Sequence, residues 1–129
     1  MQTKVLTTSD RIELFVRNWR LPIDAEMRGS VLIIHGLGEH SKRYDELANY
    51  LNNIGLAVRG YDLRGHGKSK GKRGVIAYRD ALLDDAKLVF DDFAKNKDEV
   101  PFLLGHSLGG GLAANLVARK FISPRGLIL

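Results

Sequence analysis

Phe102-Leu103-Leu104-Gly105-His106-Ser107-Leu108-Gly109-Gly110-Gly111 is the stretch on which the fold turns. Three apolar residues run into a G-x-S-x-G pentad, and Leu112, Leu116, Val117 and Phe121 then follow at helical spacing. Strand, pentad and helix together predict a very tight strand-to-helix turn with Ser107 at its tip. A side chain two positions to either side of Ser107 would collide with neighbouring backbone, so Gly105 and Gly109 make the turn possible. Gly110 and Gly111 predict a helix lying close to a sheet, against their poor helix propensity. Such a turn raises the Ser107 hydroxyl above the sheet in strained dihedrals. It also aims a helix N-terminus at the place where negative charge develops in acyl transfer.

Working outward, Val31-Leu32-Ile33-Ile34, Leu56-Ala57-Val58 and Leu127-Ile128-Leu129 are further short apolar runs of the kind buried on both faces of a parallel sheet. Tyr44, Leu47, Leu51 and Ile54 predict a crossover helix between the first two, with Ser41 capping its start and Gly55 its stop. A second helix is predicted over Tyr78 to Asn96. Leu82, Leu83, Ala86, Val89, Phe90 and Phe93 face inward on it, and Asp84, Asp85, Asp91 and Asp92 face water. Ahead of these, Lys4 to Trp19 reads as an antiparallel pair around Thr7-Thr8-Ser9-Asp10. Ile12, Leu14 and Val16 alternate there with Arg11, Glu13 and Arg17, which predicts one solvated face. The class is α/β: an antiparallel N-terminal hairpin, then a mostly parallel sheet with right-handed crossover helices. No repeat or linker divides the chain, so residues 1–129 are expected to form a single, partial domain. It stops on the apolar run Gly126 to Leu129, where a strand should receive a further helix, and so reads as the front part of something longer.

With 129 residues, 44% hydrophobic and 27% charged, the chain has the balance of a globular domain and not of a disordered one. The absence of cysteine excludes disulfides, thiolate nucleophiles and cysteine-held metals. No N-terminal signal pattern or long apolar span is present, which makes the cytoplasm the expected location. The net charge of +5 is compatible with phosphates or anionic membranes but names no partner.

In open α/β sheets ligands gather beyond the carboxyl ends of the strands. His35-Gly36-Leu37-Gly38-Glu39-His40-Ser41 follows the first parallel strand. An oxyanion needs two preorganised donors, one after the nucleophile and one from an adjacent strand's turn, and the Leu108 and Leu37 N–H groups hold those positions. Gly36 and Gly38 let that backbone come close. His35 and His40 are expected to hydrogen-bond their own loop. Gly36-Leu37-Gly38 also has the opening of a dinucleotide fingerprint, but Ser41 replaces the third glycine and Glu39 would face the pyrophosphate. Gly67-Lys68-Ser69 has the end of a Walker A loop, yet Asp62 stands at its first glycine. Arg59, Arg64, Lys68, Lys70, Lys72, Arg73 and Arg79 make the second loop basic, with Asp62 the only acid among them. A solvated loop is the plainer reading and attraction to a membrane surface the sharper one.

Three ordered blocks resemble one family. His35-Gly-Leu-Gly-Glu-His-Ser-Lys-Arg-Tyr44, Asp62-Leu-Arg-Gly-His-Gly-Lys-Ser69 and Gly105-His-Ser-Leu-Gly-Gly110 are similar to the α/β-hydrolase fold. Within it they resemble the monoacylglycerol lipase and lysophospholipase-like, serine aminopeptidase S33-like group. The likeness runs from about Ile12 to Leu129. It implies Ser107 as nucleophile, Leu37 and Leu108 as oxyanion hole, and Gly105, Gly109, His35, Gly36 and Gly38 as support. The implied reaction is hydrolysis of a carboxylic ester of a monoacyl lipid through an acyl-enzyme, with no cofactor, metal or nucleic acid. In this fold the triad acid and histidine follow the serine. After Ser107 there is neither an acidic residue nor a histidine, and His106 and His66 are not expected to substitute. Two readings follow: a hydrolase completed by a further C-terminal segment, or a non-catalytic binding or assembly module built on a truncated hydrolase fold.

Overall fold

The computed structural model describes residues 1–129. In chain order the elements are β1 (Gln2–Thr7), β2 (Glu13–Trp19), β3 (Gly29–Ile34), a 3-10 turn (Ser41–Tyr44) and α1 (Asp45–Asn53). They continue with β4 (Leu56–Tyr61), α2 (Ala81–Ala94), β5 (Phe102–Gly105), α3 (Leu108–Ala118) and β6 (Leu127–Ile128). One six-stranded sheet has the order β1-β2-β4-β3-β5-β6. β1 and β2 form the expected antiparallel hairpin and β2 also runs antiparallel to β4, whereas β4, β3, β5 and β6 are parallel.

β3 explains why both faces of the sheet must be covered. All six of its residues are buried. Leu32 and Ile34 join the core beneath α2 and α3, with Leu83, Val89, Phe93, Leu112 and Leu116. Val31 and Ile33 point the other way, to Trp19, Val58 and Ala48 of α1. Alternation on a strand sends successive side chains to opposite faces, so a continuous apolar run stays dry only with helices on both.

Several sequence expectations are corrected. Ser41 does not cap α1: it opens the 3-10 turn and is buried, while α1 itself begins at Asp45. Leu47 and Ile54 are exposed, and Ala48 is the buried residue of that helix, because its contact with Trp19 and Val58 centres on a small side chain. The second helix starts at Ala81 and not Tyr78, and Asp85 on it is buried against Arg64, not solvated. Arg17 is buried as well, because the 3-10 turn covers its face of β2 and the Ser41 hydroxyl accepts its Nε–H at 3.0 Å. No helix is long and apolar enough to cross a membrane.

The N-terminus of α3 lies almost on the sheet. A Cβ on Gly109 would come within 2.6 Å of the His35 carbonyl oxygen, and one on Gly105 within 2.6 Å of the Gly109 carbonyl carbon. Gly111, by contrast, has open space around a Cβ position, so close packing does not require it. Two substitutions therefore have opposite signs. Gly111→Ala is expected to stabilise by roughly 0.5–1 kcal/mol, since it improves helix propensity without contact. Gly109→Ala is expected to destabilise by about 3 kcal/mol or more, since backbone on both sides must move. Urea unfolding of the two variants beside the parent chain measures both.

Candidate active site

Ser107 sits between β5 and α3 with φ 57° and ψ −118°, dihedrals that a serine adopts only under constraint. The constraint is visible on both sides. The His106 N–H donates to Ile34 O at 3.1 Å, which carries the β3–β5 register up to the turn. The Gly109 N–H donates to His106 O at 2.9 Å and the Gly111 N–H to Ser107 O at 3.1 Å, closing the first turn of α3 around the serine. The side chain is exposed and its hydroxyl makes no hydrogen bond within the chain.

The loop after β3 lies against this turn. A Cβ on Gly36 would be 3.1 Å from Ser107 Cβ and 3.2 Å from His106 O, so the two loops touch here and a larger residue would crowd them. Leu37, the next residue, is exposed, and Gly38 takes φ 76°. Neither the Leu37 nor the Leu108 N–H has an acceptor within the chain, which leaves one unpaired amide next to Ser107 in sequence and one in the loop that touches its turn.

His35 does more than bond its own loop. Its Nδ1 lies 2.7 Å from Gly36 O, and its Nε2 accepts the Leu63 N–H at 2.9 Å. A carbonyl can only accept and an amide can only donate, so the ring is the neutral Nδ1–H tautomer. Burial pushes its pKa below the usual histidine value, and the neighbouring His66 ring, 5.3 Å away between centroids, acts in the same direction. For His40 no side-chain hydrogen bond forms, contrary to expectation; the residue contributes its backbone carbonyl to the Arg43 N–H.

The far end of the same loop is held by a residue that sequence reading left without a role. Asp62, fully buried, accepts the Ser41 N–H and the Ser41 hydroxyl on Oδ1, both at 2.7 Å, and the Lys68 N–H on Oδ2 at 2.9 Å. Burial alone would raise its pKa, but these donors outweigh it and hold the carboxyl below the ordinary value. Oxyanion-loop candidates 36–38 are thus slung between two anchors, His35 on Leu63 and Ser41 on Asp62, both supplied by the loop after β4. The signal was available: an acid ending an apolar strand, with glycines at positions 65 and 67 behind it, is the residue type that gathers loop amides.

Glu39 closes the back of the loop. Its Oε1 accepts the Tyr44 hydroxyl at 3.1 Å, and its Oε2 stands 3.6 Å from His106 Nε2. Burial raises the Tyr44 phenol to about 12. His66 turns Nδ1 to Arg64 O at 3.1 Å, and neither His66 nor His106 hydrogen-bonds Ser107. No cluster of three or more His, Asp or Glu side chains is placed to hold a metal ion.

A mixed sheet with an antiparallel start, and a strained serine at a glycine-flanked turn from a parallel strand into a helix, define an α/β-hydrolase fold. Comparison places the chain more narrowly: it belongs to the serine aminopeptidase S33 family, whose model matches residues 25–129. It is 34% identical over 125 residues to the monoglyceride lipase of Mus musculus and 36% identical to that of Homo sapiens. Each match takes in 96% of this chain but 41% of the relative. Among solved structures, the Paleococcus ferrophilus monoacylglycerol lipase superposes with TM-score 0.71 at 36% identity over 89% of this chain and 41% of that one. A soluble variant of the Saccharomyces cerevisiae monoglyceride lipase, in complex with a substrate analogue, gives 0.81 at 26% identity over 92% and 40%. The chain therefore spans about two-fifths of the length of these relatives.

Two measurements probe the anchors. His35 binds its proton less readily folded than unfolded, so the unfolded chain takes up more protons as pH falls below about 6.5, and stability should decline from there toward pH 5. The decline should be shallower in His35→Asn. Asp62→Asn loses the acceptor for the Lys68 N–H and a buried charge-assisted bond, and should cost about 1–3 kcal/mol in urea unfolding at neutral pH.

Proposed function

We propose that this chain is the nucleophile-bearing part of a serine ester hydrolase acting on monoacyl lipids, a monoacylglycerol or a lysophospholipid. The observation that carries the reading is the accessible Ser107 hydroxyl in a strained turn beside two unpaired amides, Leu37 and Leu108. Family membership supports ester hydrolysis, and the monoglyceride lipases among the relatives support the substrate class.

In this mechanism the Ser107 Oγ attacks the ester carbonyl and its proton passes to a general base. The carbonyl oxygen becomes an oxyanion received by the Leu37 and Leu108 N–H groups, with the N-terminus of α3 behind them adding to the positive potential. Collapse expels the alcohol, which takes up that proton, and leaves an acyl-serine. Water then attacks the acyl carbon, regenerating Ser107 and releasing the fatty acid. The base and its orienting acid are supplied by a further C-terminal segment or a complementary chain, since neither His66, with Nδ1 on Arg64 O, nor His106, with Nε2 facing Glu39, hydrogen-bonds Ser107. Strain at Ser107 holds the hydroxyl out of the helix and ready to add to the face of the ester carbonyl, and the tethered 35–41 loop spares the amides any reorganisation as charge forms.

Labelling by a fluorophosphonate probe tests the reading. Labelling at Ser107 should be weak in the 129-residue chain and rise by at least about 100-fold when a segment carrying the acid and histidine of a monoglyceride lipase relative is joined to it. Ser107→Ala should abolish it. Equal labelling with and without that segment would refute the division of labour, and no labelling in either would favour a binding module.

A further inference from the structure

Seven basic residues cluster in the sequence from Arg59 to Arg79, and the fold sorts them into two groups. Arg59 is withdrawn into the interior, with Nη1 on Asp92 at 2.7 Å and Nε on Asn18 at 2.7 Å. Arg64 is withdrawn as well, bonded to both oxygens of Asp85 and to Asp10. Lys68, Lys70, Lys72, Arg73 and Arg79 stay exposed, and none of them forms an ion pair.

The charge arithmetic is one-sided. The chain has 20 Lys and Arg against 15 Asp and Glu, and residues 65–79 hold five of the first and none of the second. Outside this segment the balance is 15 against 15, so the whole excess of +5 sits on one exposed stretch. Exposed apolar side chains lie within it: Val75 is 51% and Ile76 60% accessible. Basic residues beside unburied aliphatic ones match a bilayer surface, where phosphate headgroups meet the first methylenes. A dissolved polyanion would leave the aliphatic pair unmatched.

The segment's position gives that match a direction. A groove between α2 and α3 is lined by Ile76, Arg79, Leu82, Leu83, Leu112 and Leu108, the last being the residue that follows Ser107 in the chain. We propose that residues 68–79 form a docking surface for an anionic lipid bilayer, placed so that the groove to Ser107 opens toward the membrane. Five uncompensated cations supply the attraction, and Val75 and Ile76 enter the headgroup boundary. The opening toward Ser107 rests on the hydrolase reading. Docking itself needs no turnover, so the two can fail separately.

Co-sedimentation of the full chain with vesicles tests it. Binding is expected to vesicles containing about 30% phosphatidylglycerol in phosphatidylcholine and to be weak with phosphatidylcholine alone. It should fall steeply between about 0.1 M and about 0.5 M salt. K70Q/K72Q/R73Q should weaken it roughly tenfold or more. V75S/I76S should weaken it several-fold while keeping the salt dependence. All five positions are exposed, so the thermal midpoint of both variants should match the parent and exclude misfolding as the cause. Equal binding to neutral vesicles, or unchanged binding by the charge variant, would overturn the proposal. So would tighter binding to a single-stranded oligonucleotide that is lost in the same variant, which would make the patch a nucleic-acid surface.

Discussion

The contact between the first turn of α3 and the end of β3 is the constraint from which the rest follows. Gly109 lies so near the Ile34 and His35 carbonyls that no side chain fits between helix and strand. That approach forces the chain to reverse within the single residue Ser107, whose positive φ is the price of entering the helix at that point. The strain is tolerated because it is over-determined: the sheet register holds His106 from one side and the helix holds Gly109 and Gly111 from the other. A more relaxed turn would let the hydroxyl fall back toward the α3 N-terminus. It would then be spent as a helix cap and not left free for chemistry.

A second constraint acts on the loop facing the serine. Amides preorganised to receive an oxyanion must be rigid before any charge appears, yet residues 36–38 are largely glycine and have little packing of their own. Rigidity is imported from the loop after β4 through Asp62 and the Leu63 amide. That loop is itself bolted down: the Asp62 N–H donates to Phe15 O at 2.9 Å, the Lys70 N–H to Glu13 O at 2.9 Å, and Arg64 reaches Asp85 on α2 and Asp10 between β1 and β2. The desolvation cost of such buried ion pairs cancels much of their attraction, so they add modestly to net stability. Breaking one by removing a partner costs about 3–5 kcal/mol. Their value here lies in direction, since bidentate arginine bonds set the orientation of a loop that apolar packing leaves free.

The same burial divides the basic residues. Arginines whose carboxylate partners lie within reach of the core stop contributing to the surface potential, and the lysines of the glycine-rich segment beyond them do not. One net-positive sequence block thus becomes an internal scaffold and an external patch, with Asp62, its one acid, wholly committed to the scaffold.

Local chemistry was legible without coordinates. Four short apolar runs separated by helical periodicity specify a parallel sheet, although the last of them, in β6, is exposed and not covered, and a glycine two residues to each side of Ser107 specifies the turn, because both rest on sterics within a few residues. Hidden from that reading were Asp85, Arg17 and Leu47, each assigned by polarity and period to a face it does not occupy, and Ser41, assigned to a helix cap it does not form. Sterics between near neighbours in the chain set which backbone shapes are permitted and where a serine could be lifted from a sheet. Which charges are buried and which loop holds which emerge with the folded chain, because a charged side chain is accepted inside when a partner from a distant segment meets it there, as Asp62 meets Ser41 and Asp85 meets Arg64. Periodicity carries no record of those meetings.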